Sequence, residues 1–85
     1  MTWTALTVEW TRAAEKDLRG LPTKLREQIR EAVTVYAATG AGDMAKMQNG
    51  SGYRLRVRNQ RAFCDIQWSA LRLTVLGVDK RGDAY

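Results

Sequence analysis

Leu6, Val8 and Trp10 alternate with Thr7 and Glu9 near the start of the chain, the period-two pattern of a β-strand with one buried face. The period then lengthens. Ala14 and Leu18 fall four apart within Arg12–Arg19, behind Thr11 as a plausible N-cap and ahead of Gly20 as a stop, so the spacing predicts a short helix. Pro22 restarts the chain, and Leu25, Ile29, Ala32, Val33 and Tyr36 recur at helical spacing up to Gly40, which predicts a second, longer helix. Its other face carries Lys24, Arg26, Glu27, Arg30 and Glu31, read as a solvated face. Residues 41–52 read as a loop, with Asn49-Gly50-Ser51-Gly52 as a flexible connection.

Period two returns at Tyr53. Arg54, Arg56 and Arg58 alternate with Tyr53, Leu55 and Val57, and Asn59-Gln60 reads as a two-residue hairpin loop. That loop sets Arg58 opposite Arg61, Arg56 opposite Phe63 and Arg54 opposite Asp65. Four arginines, an aromatic ring and a carboxylate then share one sheet face. Tyr53, Leu55, Val57, Ala62, Cys64, Ile66 and Trp68 share the other, core-facing side. Ser69-Ala70 turns the chain into a last strand over residues 71–78, pairing Leu73 with Ile66 and Val75 with Cys64. The order is β-α-α-β-β-β: one α+β domain spanning residues 1–85, with two N-terminal helices on one face of a twisted antiparallel sheet. Trp3, Trp10 and Trp68 read as core or edge packing.

Charge sharpens this picture. The 14 Lys and Arg exceed the 9 Asp and Glu, and the whole net charge of +5 arises from Lys46 onward. A one-sided basic surface points to a polyanionic partner, nucleic acid or an acidic protein. An arginine face also serves as a solvated or partner-docking surface, and composition does not separate these uses. The single cysteine excludes an internal disulfide, and with no signal peptide or membrane-length apolar run the expected compartment is the cytoplasm. There is no histidine. That removes the usual general base, the Ser-His pair and most zinc sites, so neither a metal nor another cofactor is expected.

The sequence resembles the RelE/ParE superfamily of bacterial type II toxins over nearly its full length. The resemblance is carried by Lys16-Asp17-Leu18 followed by Leu21-Pro22, the long second helix, the strand Gly52-Tyr53-Arg54-Leu55-Arg56-Val57, Arg61 opening the next strand, and the terminal Lys80-Arg81-Gly82-Asp83-Ala84-Tyr85. In the RelE branch the toxin cuts mRNA in the ribosomal A site with basic residues and a C-terminal tyrosine. Position by position, those residues fall on Arg54, Arg56, Arg61, Arg81 and Tyr85. The ParE branch binds DNA gyrase without cutting, and a member that only binds its antitoxin is a third reading. Here Phe63-Cys64-Asp65 stands where the family usually carries an apolar-aromatic strand, and no tail beyond Tyr85 is expected.

The resemblance implies a histidine-free mRNA interferase with Arg61, Arg81, Tyr85 and Arg56 as catalytic residues and Arg54, Arg58, Lys80 and Phe63 as RNA or phosphate contacts. It also implies a cognate acidic antitoxin, the ribosome and mRNA as partners, and DNA contact only through the antitoxin complex. RNA cleavage through the 2′-hydroxyl needs a proton acceptor, positive charge at phosphorus and a proton donor for the leaving oxygen. Clustered arginines supply the charge and grip phosphate with two parallel hydrogen bonds. Tyr85 accepts the 2′-proton or stacks on a base in this scheme, whereas a terminal tyrosine otherwise frays. Phe63 stacks on a base or shields the arginine stems.

Overall fold

A computed structural model describes residues 2–47 and 52–79. Strand β1 (Thr7–Trp10) leads into helices α1 (Arg12–Arg19) and α2 (Thr23–Thr39), followed by β2 (Met44–Lys46), β3 (Tyr53–Val57), β4 (Gln60–Gln67), a 3₁₀ turn (Trp68–Ala70) and β5 (Arg72–Asp79). The expected helices are both present. Thr11 caps α1, its Oγ1 accepting the Ala14 N–H at 3.1 Å, which satisfies one of the amides a helix start leaves unpaired. Gly40 ends α2 in the left-handed conformation at φ 80°, and its N–H returns to the Tyr36 carbonyl. A side chain there would carry strain and also strike the Trp3 ring, 2.7 Å from where a Cβ would stand.

The α+β architecture holds, with one sheet in the order β1-β5-β4-β3-β2. Two features enlarge the sequence picture. The sheet is mixed, because β1 runs parallel to β5, with Val8 beside Leu73 and Trp10 beside Val75. The intervening helices supply the crossover that a parallel pair requires. Part of the stretch read as a loop is β2, an edge strand pairing Met44 with Leu55 and Lys46 with Tyr53. Three residues give too little alternation for a strand to be recognised from pattern alone.

The core lies between the helices and one face of the sheet. Ala14, Leu18, Ile29 and Val33 meet Leu55, Ala62, Cys64, Ile66, Leu73 and Val75 there, all buried. The pairs Leu73–Ile66 and Val75–Cys64 form as expected. Leu71 departs from its strand pattern: it closes the 3₁₀ turn at φ 51° and is half-exposed. Trp68 also leaves the core face and stands 47 % exposed, edge-on to Trp3 and Tyr53. The 3₁₀ turn that reverses the chain takes it out of the sheet before it can point inward. On the polar face of α2, Arg30 pairs with Glu15 of α1 at 2.5 Å and lies over the Trp10 ring at 5.0 Å. That contact bridges both helices and β1.

Candidate functional site

The hairpin turn forms one residue earlier than the sequence pattern indicates. Arg58 and Asn59 are the loop, with Arg58 at φ 58°, a positive φ that hairpin turns require at their first central position. Gln60 is drawn into β4 instead, 2 % exposed, with its amide directed at the Asp79 carbonyl (3.5 Å). The pairing therefore changes by two residues: Arg56 faces Arg61 and Arg54 faces Phe63, while Asp65 faces Thr74 of β5 rather than Arg54. A two-residue change preserves side-chain parity, so Arg54, Arg56, Arg61, Phe63 and Asp65 stay on the predicted face. Arg58 is displaced into the turn, and Asp65 does not stand opposite Arg54.

Arg54, Arg56 and Arg61 converge on a cleft of about 120 Å³ that they line with Asp43 and Ala45. Three elements build it. β3 supplies Arg54 and Arg56 two residues apart, β4 brings Arg61 directly across from Arg56, and the chain entering β2 supplies the wall. The Arg56 N–H donates to the Asp43 carbonyl at 2.9 Å, holding that wall against β3. The Arg56 Nε donates to the Arg58 carbonyl at 3.3 Å, which bends its side chain toward the turn. Arg61 has a carboxylate neighbour that pattern reasoning did not pick out: its Nη1 lies 3.5 Å from Asp79 Oδ2 on β5. Arg54, Arg56 and Arg58 form no ion pair among the described residues.

This cleft can hold a compact anion by charge and by directed N–H donors. Arg56 also lines a larger open groove of about 470 Å³ running along α2 past Glu31, Val35 and Leu55. Phe63 is half-buried between Arg54 and Gly77 in neighbouring strands. Cys64 lies on the far side of the sheet, and burial pushes its thiol up to about 12, so it supplies no nucleophile to the arginine face. Among the described residues no cluster of His, Cys, Asp and Glu has the makings of a metal site. Lys80, Arg81 and Tyr85, expected to complete the site, lie outside the described residues.

Two helices against a five-stranded mixed sheet define the class to which the comparisons assign the chain. Residues 8–85 match the family model of the ParE toxin of the type II toxin-antitoxin system parDE. The chain belongs to this family, within the RelE/ParE superfamily of type II toxins. Its fold is similar to that in the Mycobacterium tuberculosis RelBE2 toxin-antitoxin complex (TM-score 0.78, 22 % identity, covering 93 % of this chain and 94 % of that one). It is also similar to the archaeal RelE-RelB complex of Pyrococcus horikoshii (TM-score 0.76, 20 % identity, 93 % and 98 % covered). A third likeness is to a mutant of the E. coli toxin RelE in the free state (TM-score 0.75, 17 % identity, 95 % and 88 % covered). No curated protein sequence matches.

Proposed function

We propose that this toxin is a ribosome-dependent mRNA endonuclease that stops translation in the cytoplasm. The observation that carries the reading is the convergence of Arg54, Arg56 and Arg61 on one small cleft, on the sheet face opposite α1 and α2. In this scheme Arg56 and Arg61 hold the scissile phosphate and offset the charge that builds at phosphorus. Arg54 and Arg58 follow the backbone on either side, and Phe63 offers a ring edge to a base. Arg81 serves the leaving oxygen, Tyr85 receives the 2′-proton, and Lys80 adds to the phosphate contacts; these three roles rest on the sequence. A cognate antitoxin with an acidic segment neutralises the toxin by covering the arginine face. The relatives solved with RelB support such a partner.

A second reading is favoured by the family model, which is that of ParE: the same face binds DNA gyrase and nothing is cut. Induction in growing cells separates the two. Incorporation of labelled amino acid is expected to stop before that of labelled thymidine, with mRNA cut inside codons, and Arg61→Ala is expected to abolish the arrest. Filamentation with early loss of DNA synthesis and intact mRNA would establish the gyrase reading instead.

A further inference from the structure

Asp17 belongs to a motif of the sequence for which the arginine cleft has no use, since it lies on α1 across the sheet. Its side chain nevertheless reaches β5. Asp17 Oδ2 accepts the Val78 N–H at 2.9 Å, 61 residues along the chain. Thr11, the cap of the same helix, donates its hydroxyl to the Leu76 carbonyl at 3.1 Å, and its own N–H goes to the Val75 carbonyl at 3.1 Å. These three contacts fall on one irregularity of the sheet.

Between β4 and β5 the register slips at Phe63/Cys64: Cys64 pairs with Val75, Phe63 pairs with Gly77, and Leu76 has no partner. One residue is bulged out. The slip decides which side chains reach the arginine face. Continuing the Val75–Cys64 register without a bulge would set Val78 opposite Arg61 and carry Asp79 to the core side beside Gln60. With the bulge, Val78 stands opposite Ala62, buried in the core, and Asp79 stands opposite Arg61 with their side chains 3.5 Å apart. Strand β1 ends at Trp10, so the edge of β5 beyond it faces α1, where Thr11 and Asp17 satisfy the Leu76 carbonyl and the Val78 N–H. Gly77 allows the approach, because a Cβ there would stand 3.3 Å from Asp17 Oδ2.

We infer that Asp17 is a positioning residue for the arginine cleft: by holding Val78 N–H it fixes the bulge that turns Asp79 toward Arg61. Asp79 in turn orients the Arg61 guanidinium through one nitrogen and leaves its other donors for phosphate. The functional half of this inference rests on the reading of the cleft as a phosphate site; the structural half does not.

The test compares Asp17→Ala, Asp17→Asn and Arg61→Ala in the full chain. Readouts are amide exchange and Arg Nε–H resonances by NMR, and affinity for a single-stranded RNA oligonucleotide at fixed ionic strength. Asp17→Ala is expected to speed exchange at Val78 about tenfold, the loss of one hydrogen bond to a charged acceptor, to leave Leu73 unchanged and to shift the Arg61 Nε–H resonance. Asp17→Asn keeps an acceptor oxygen and is expected to restore both. RNA affinity is expected to fall as in Arg61→Ala, with the double variant no weaker than Arg61→Ala alone. Unchanged Val78 exchange and Arg61 resonance in Asp17→Ala, or losses of affinity that add, overturn the inference. If Arg61→Ala binds RNA like the parent chain, the phosphate reading fails, and the NMR signals alone decide whether Asp17 sets the bulge. Should Asp17→Ala not fold, Gly77→Ala crowds the carboxylate without removing it and must shift the same two signals.

Discussion

Leu55 and Arg56 are neighbours in β3, yet Leu55 is 1 % exposed under the helices and Arg56 stands in solvent at the edge of the cleft. The same contrast runs across the hairpin, where Ala62 and Cys64 are buried and Arg61 between β3 and β5 is exposed. Two sides of one sheet are thus under different constraints. On the helix side each residue is defined by volume, because it must fill a space that α1 and α2 close. On the arginine side residues are defined by charge and reach, and little apolar area is lost when one is removed. Packing and the charge of the proposed site are therefore expected to separate largely by face, and substitutions should reveal the division.

The largest effect is expected from Leu18→Ala, which empties a fully buried site under β5. It should cost about 3 kcal/mol in urea unfolding, and a loss below about 1 kcal/mol would mean that the helix face is not the core. Gly40→Ala should follow at about 2 kcal/mol, from a left-handed residue forced to carry a Cβ against Trp3. Alkaline pH acts on the same face. Burial raises the thiol of Cys64 from 9.0 to about 12 and also raises the Tyr36 hydroxyl. Between those two values the unfolded chain has lost a thiol proton that the folded chain keeps, so stability falls as pH rises. The expected loss is about 1 kcal/mol between roughly pH 8 and 10, and Cys64→Ala should flatten the slope. On the other face, Arg56→Ala and Arg61→Ala should each leave unfolding within about 0.5 kcal/mol of the parent while removing growth arrest. The smallest effect concerns Glu15, whose carboxyl is held below its usual range by the hydrogen bond from Arg30. Its stabilisation is present above the ordinary value of 4.5 and is lost as pH falls through the depressed one. Being an exposed pair, it should amount to about 0.5 kcal/mol or less and fade in high salt.

Most of the architecture was legible because parity and helical period are local. Thr11, Gly20 and Gly40 mark helix ends in sequence and in space, and the core pairs Leu73–Ile66 and Val75–Cys64 follow from alternation alone. The hairpin loop lies one residue earlier than the pattern indicates because Asn59-Gln60 and Arg58-Asn59 satisfy the same face pattern; in the structure Gln60 is buried, with its amide directed at Asp79 on a third strand. The parallel partnership of β1 and β5 depends on a helical crossover, and local alternation says nothing of it. Within the cleft, the shared face of Arg54, Arg56 and Arg61 follows from period two. The position of Asp79 does not, because a bulge three residues before it reverses the parity on which such a count relies. Arg58 was assigned to the face by alternation and left it because a turn residue has no face.

Strand β5 lies between β1 and β4 in the sheet, although it is the last of the five to be made. During synthesis β1 waits without a partner while some sixty residues are added, and neither the core under Leu73 and Val75 nor the Arg61–Asp79 contact exists until the chain has reached Asp79. A sheet closed by its final strand folds late and through distant contacts. For a type II toxin the consequence is timing: a partly made chain that stops short of Asp79 has neither the closed core nor the Arg61–Asp79 contact.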